Sequence, residues 1–152
     1  MKRSKSIGLL AMSASVIALT ACEEPAVDAA VFENLSQCLA DPNVERAQCE
    51  ADYQAAKSQH AQVSPKYTSQ QDCEADFGAE QCEAAPYQTR SGGSVFMPMM
   101  MGYMMGSMLG GRCGVASQPL YRSTDDSKNF RTADNKKVGN KIGRTQVARS
   151  ST

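Results

Sequence analysis

Two short motifs occur twice in the same order, and they constrain this chain more than any other feature. Phe32 stands six residues before Cys38, and Tyr67 stands six residues before Cys73. A Gln-Cys-Glu-Ala motif then follows each, centred on Cys49 and on Cys82. Cysteines repeated this closely, among few large apolar side chains, read as staples for a head too small to hold itself together by burial. Cys38, Cys49, Cys73 and Cys82 are therefore assigned to disulfides. Pairing within each repeat is the simplest arrangement, but four cysteines allow three connectivities and spacing alone does not choose. The chain has six cysteines, so Cys22 and Cys113 remain. Cys113 is either a free thiol or a bridge between molecules.

The N-terminus narrows the compartment. Lys2, Arg3 and Lys5 precede an apolar core over residues 7–19, and Leu19-Thr20-Ala21-Cys22 closes it. This is the pattern of a secretory signal peptide, with a core too short to be an ordinary spanning helix. Small residues directly before a cysteine resemble the lipobox of bacterial lipoproteins, which implies that Cys22 is acylated. Several acyl chains make a stable anchor where one is marginal. Glu23 follows Cys22, rather than the aspartate associated with inner-membrane retention. The expectation is a lipid-anchored protein of the cell envelope, at the outer membrane and facing the periplasm.

A neutral total hides an asymmetry. Residues 23–90 carry thirteen acids against four bases, whereas residues 112–152 carry nine bases against three acids. In a cytoplasmic chain the basic end would suggest nucleic acid. Behind an export signal it points to anionic lipid, lipopolysaccharide, an acidic envelope protein or the chain's own head.

At 152 residues there is room for one ordinary domain. The expected division is a signal peptide (1–21), a lipidated tether (22–28), a disulfide-stapled helical repeat head (29–87), a linker (88–94), a Met/Gly-rich association segment (95–111) and a basic, largely disordered tail (112–152). Within the head, residues 44–62 are the longest helix candidate. Asn34 and Ser69 align as N-caps, with Asp72 completing a capping box and Gly78 ending the helix that Ser69 starts. Asp134-Asn135 is a turn signal, but the surrounding tail carries too few apolar residues to offset chain entropy. The fold class expected is mainly α: a small stapled helical head, a short Met/Gly-rich helix and a disordered tail.

Residues 95–111 (VFMPMMMGYMMGSMLGG) hold seven of the nine methionines. Read as a helix from Pro98 to residue 109, the stretch is about 18 Å long, too short to cross a bilayer. Gly102, Gly106 and Gly110 then share one face and admit a neighbouring backbone, as in small-xxx-small helix pairs. With Tyr103 they form the expected contact surface for self-association or for an envelope partner. The alternative is periplasmic Cu(I) binding by Met97, Met99, Met101, Met104 and Met105, because thioethers are soft ligands. Against it, methionines in copper-handling proteins are usually separated by polar residues.

The lipobox, the paired aromatic–cysteine repeat, Pro65-Lys66-Tyr67, Gln81-Cys82, Phe96-Met97-Pro98, the Met101–Gly106 run and Gln118-Pro119-Leu120-Tyr121 together resemble the YgiB-like family of uncharacterised proteobacterial envelope lipoproteins. The resemblance covers most of the chain beyond the signal and implies no catalytic residues. Cys113 departs from the family pattern, which argues against an essential role for it.

The remaining chemistry is sparse. His60 is the only histidine and reads as a solvated residue late in the 44–62 helix. One histidine leaves no Ser/His/Asp or Cys/His arrangement, and HExxH, P-loop, GxGxxG and C-x-x-C spacings are absent. The expectation is a non-enzymatic structural or accessory interaction protein, with no catalytic residue, no cofactor and no nucleic-acid partner.

Overall fold

The computed structural model describes residues 26–106 and 116–152. The signal segment, Cys22, Gly110 and Cys113 lie outside the described residues. The elements run β1 (Ala26–Phe32), α1 (Leu35–Leu39), α2 (Arg46–Val63), α3 (Gln70–Phe77), β2 (Cys82–Gln88), β3 (Ser94–Pro98), β4 (Gly102–Met105), β5 (Gln118–Ser123), β6 (Asp126–Arg131), β7 (Lys137–Gly139) and β8 (Gly143–Ala148). A 3-10 turn, Arg149–Ser151, follows β8. Six strands form one antiparallel sheet in the order β7-β6-β5-β4-β1-β8, curled into a nearly closed barrel. β2 and β3 pair separately, and Tyr67 bridges to Phe96 at their side.

Strand outweighs helix in this architecture, which overturns the mainly α expectation. The Met/Gly stretch forms no helix across its described part: it supplies β3 and β4. All four residues of β4 are buried. A strand walled on both faces loses the polar alternation that marks a strand in sequence, so it reads as an undivided apolar run. The tail is likewise ordered over its described residues, as β5 to β8. Its scattered apolar residues suffice because each strand needs few: Leu120, Phe130 and Val147 converge on one small interior. Burial of each such side chain contributes about 1.5–3 kcal/mol. Asn135 adopts a left-handed backbone (φ 64°) in the turn that joins β6 to β7. Ala26–Asp28, expected in the tether, open β1.

The barrel wall separates two cores. Ala29 and Val31 of β1 join Met104, Leu120, Phe130 and Val147 inside it. The alternate residues Ala30 and Phe32 face the other way, with Tyr103 and Met105 of β4, against Cys38, Val44, Cys49 and Ala56. Period-two alternation along β1 and β4 thus assigns neighbouring side chains to opposite cores. α1 and α2 cover the outer face of that wall.

The cover is fastened locally. Asn34 caps α1, its side chain accepting from the Gln37 amide at 2.9 Å. Ser69 caps α3 by accepting from the Asp72 amide at 3.1 Å, while its own hydroxyl donates to the Asp72 carboxylate. Gly78 ends α3 at φ 107°, a conformation that favours glycine. Cys38 bonds to Cys49, joining α1 to α2, and Cys73 bonds to Cys82, joining α3 to β2. The buried stripe of α2 is Cys49, Asp52, Ala56 and His60.

Candidate functional site

His60 is buried (8% exposed), contrary to its reading as a solvated residue. It sits on the stripe that turns α2 toward the sheet, one helical turn beyond Ala56. Its Nδ1 lies 2.9 Å from the Tyr121 hydroxyl, and its Nε2 lies 3.0 Å from Oε1 of Glu83. A carboxylate only accepts, so Nε2 carries the proton, and in the neutral ring Nδ1 accepts from the phenol. Three elements meet here: α2, β2 and β5. Ser64, one turn after His60, extends the network. Its hydroxyl lies 3.3 Å from the Met97 sulfur and 2.9 Å from the Lys66 ammonium.

Tyr121 links this network to a cleft of about 380 Å³ between the end of α3 and the β5–β6 and β6–β7 turns. Tyr67, Phe77 and Tyr121 line it in edge-to-face contact, with centroids 6.1 and 6.3 Å apart. Thr124 holds the β5–β6 turn against α3 by donating its amide to the Asp76 carbonyl at 2.8 Å. Tyr67 donates to the Asp76 carboxylate at 2.8 Å. Burial, then the bond to Asp76 and its charge, push the Tyr67 phenol up to about 12. Burial also raises Tyr121 well above the usual phenol range; the Ser64 hydroxyl pulls it the other way and the Glu83 charge adds to the rise. Arg131, at the far wall, is paired with Asp126 at 3.3 Å and bound to Asn135. The site therefore offers neutral phenols, aromatic edges and paired charges. It supplies shape and hydrogen bonding rather than an activated nucleophile.

The expected contact surface fares differently. Gly102, Tyr103 and Gly106 are buried. A Cβ on Gly102 would come within 2.9 Å of both the Phe130 ring and the Phe32 carbonyl oxygen, so this glycine makes room for an aromatic ring inside the barrel. Tyr103 packs against Phe32 and Tyr53 in the outer core. Its buried hydroxyl has no hydrogen-bond partner among the described residues. Burial raises this phenol too, with Asp52 and Tyr53 adding to the rise. Asp52, also buried, accepts from Gln48 at 2.6 Å and from the Ser117 hydroxyl.

The methionines do not converge on one point. Met104 belongs to the barrel interior with Met101 beside it, and Met105 faces the opposite core, its sulfur 3.4 Å from Cys38 Sγ. Met97 meets Ser64, and Met99 is exposed. Among the described residues no group of three or more His, Cys, Asp or Glu is placed to hold a metal ion. The His60 network escaped sequence reasoning, although its signal was present: residues 49, 52, 56 and 60 share a helical face.

No solved structure matches the chain. A protein of Erwinia tasmaniensis described as "UPF0441 protein" is 40% identical over 123 residues, covering 75% of this chain and 55% of the relative. The chain thus spans about half the length of that relative. The match agrees with the YgiB-like resemblance carried by the paired cysteine repeat and the Met101–Gly106 run. Residues 26–152, which include every element of the barrel, its helical cover and the cleft, match the family model described as "Protein of unknown function (DUF1190)", and the chain belongs to that family.

Proposed function

We propose that the protein is a non-enzymatic interaction module of the bacterial cell envelope, exported and anchored through an acylated Cys22. The observation that carries this reading is the pair of disulfides, each closing a short local loop in the helical cover. Such bonds persist in oxidising compartments and are rare in the reducing cytosol. They agree with the export signal and lipobox read from residues 1–22. The absence of catalysis is supported by the state of the one carboxylate–imidazole–phenol array. Both nitrogens of His60 are engaged within the fold, and Tyr121, which lines the cleft, is itself buried. The array thus fastens α2 to β2 and β5, a structural use of the one histidine.

Metabolic labelling with a palmitate analogue, followed by membrane fractionation of cells producing the wild type or Cys22→Ser, tests the anchor. Label and membrane association that disappear together in the variant are expected. An unlabelled wild-type chain in the soluble fraction would overturn the anchor. Thiol trapping of the same cells tests the compartment: Cys38, Cys49, Cys73 and Cys82 should resist alkylation until a reductant is added.

A further inference from the structure

Consecutive strands joined by a short connection usually pair. β7 and β8 do not. Residues 140–142 join them, yet β7 and β8 stand at opposite ends of the sheet order and no ladder connects them. Gly139 and Gly143 flank the turn with φ of 109° and 82°, left-handed conformations that favour glycine. The barrel is left with a seam, and a cavity of about 700 Å³ lies beside it, lined by Lys141, Arg144, Thr145 and Gln146 and by one acid, Asp28, which accepts from Gln146 at 3.3 Å. A Cβ placed on Gly139 would meet nothing within 4 Å. Among the described residues β8 pairs along its length with β1 and on that side only.

We infer that the free edge of β8 is a docking site for an extended acidic segment of a partner protein, which adds to the sheet as a further strand. The backbone groups of an unpaired edge supply affinity in this mode, and the flanking side chains supply selection. Between Asn135 and Thr152 the sequence holds Lys136, Lys137, Lys141, Arg144 and Arg149 and no acid. Lys136 is paired with Asp134, whereas Lys141, exposed on the turn, has no ion pair among the described residues. Ile142 beside it is 39% exposed, an apolar point at the mouth of the seam.

Lysines on an edge commonly serve to prevent pairing with like edges. That role and this one are compatible: the same charges that repel a second copy of β8 attract a strand of opposite sign. The register also disfavours lipid as the counterpart. Gly143 pairs with Val31, so Lys141 and Ile142 lie beyond the end of β1 opposite to Ala26. Five residue steps place them about 17 Å from where the N-terminal segment joins. This is about twice the screening length at physiological salt. With the chain anchored ahead of Ala26, Lys141 stands at the end of β8 remote from the anchor, whereas Arg149 follows Ala148 at the near end.

The inference rests on reading the chain as an interaction module, and its test is independent of the anchor. The full chain in neutral detergent is titrated with a short peptide alternating glutamate and valine, with amide hydrogen exchange followed residue by residue. Binding is expected together with slowed exchange at alternate residues of Gly143–Ala148, the signature of a new ladder. Lys141→Glu, a substitution on an exposed turn, should weaken binding about tenfold, and Lys141→Arg should restore it. N-methylation of alternate peptide amides should abolish binding. The proposal is overturned if a lysine–valine peptide binds equally, if binding leaves β8 exchange unchanged, or if millimolar peptide does not bind. It is equally overturned if phosphatidylglycerol vesicles capture the Cys22→Ser chain through Lys141 while the acidic peptide does not bind.

Discussion

The hydroxyl of Tyr121 on β5 lies 2.9 Å from Nδ1 of His60 on α2, and this bond ties the helical cover to the sheet beneath it. The other end of the imidazole reaches Glu83, whose side chain is 43% exposed. The two bonds therefore differ in worth. Tyr121→Phe strands a buried ring nitrogen and should cost about 1–3 kcal/mol in urea unfolding. Glu83→Gln keeps an acceptor in contact with water and should cost less than about 1 kcal/mol. Equal effects would contradict the burial assigned to His60.

Gly102 tests the barrel interior. Gly102→Ala brings a methyl group against the Phe130 ring and the Phe32 carbonyl, each 2.9 Å away. The ring can tilt, but the carbonyl belongs to the β1 backbone and cannot. Overpacking of this kind costs about 1–3 kcal/mol. A lowered unfolding midpoint is expected, and Phe130→Leu in the same chain should recover only part of it. Full recovery would mean that the carbonyl contact is unimportant.

Alkaline pH should unfold the protein from its phenols. Tyr67, Tyr103 and Tyr121 are all raised in the folded state, Tyr67 to about 12. Above pH 10 the unfolded chain loses these protons while the folded chain keeps them. Folding then binds more protons than unfolding, and stability declines as pH rises through the folded values. Below pH 10 the contribution is fully present. Three of the five tyrosines should show phenolate absorbance only as near-ultraviolet circular dichroism is lost. Smooth titration of all five before that loss would contradict the protection assigned to Tyr67, Tyr103 and Tyr121.

The helical cover was legible in the sequence because its signals are local. Asn34, Ser69, Asp72 and Gly78 act within one turn of themselves, and the α2 pattern spans adjacent residues. The barrel was not legible because its evidence is distributed. Leu120, Phe130 and Val147 each look isolated, and only the closure of the sheet brings them together with Met104. β4 misled for a related reason: Met104 and Met105 are apolar on both sides because each belongs to a different core. The candidate site was hidden by polarity. A histidine among Gln, Ser and Ala suggests solvent unless the residues one and two turns earlier, Ala56 and Asp52, are seen to be buried with it.

β1 has its partners at residues 102–105 and 143–148, and Ala26 itself pairs with Ala148. The first of the described strands is thus the last to be satisfied. Pairings this distant along the chain make folding slow and place it after synthesis is complete. Until residues 143–148 are available, β1 can pair with β4 alone, so the sheet cannot reach its full width before nearly the whole chain exists.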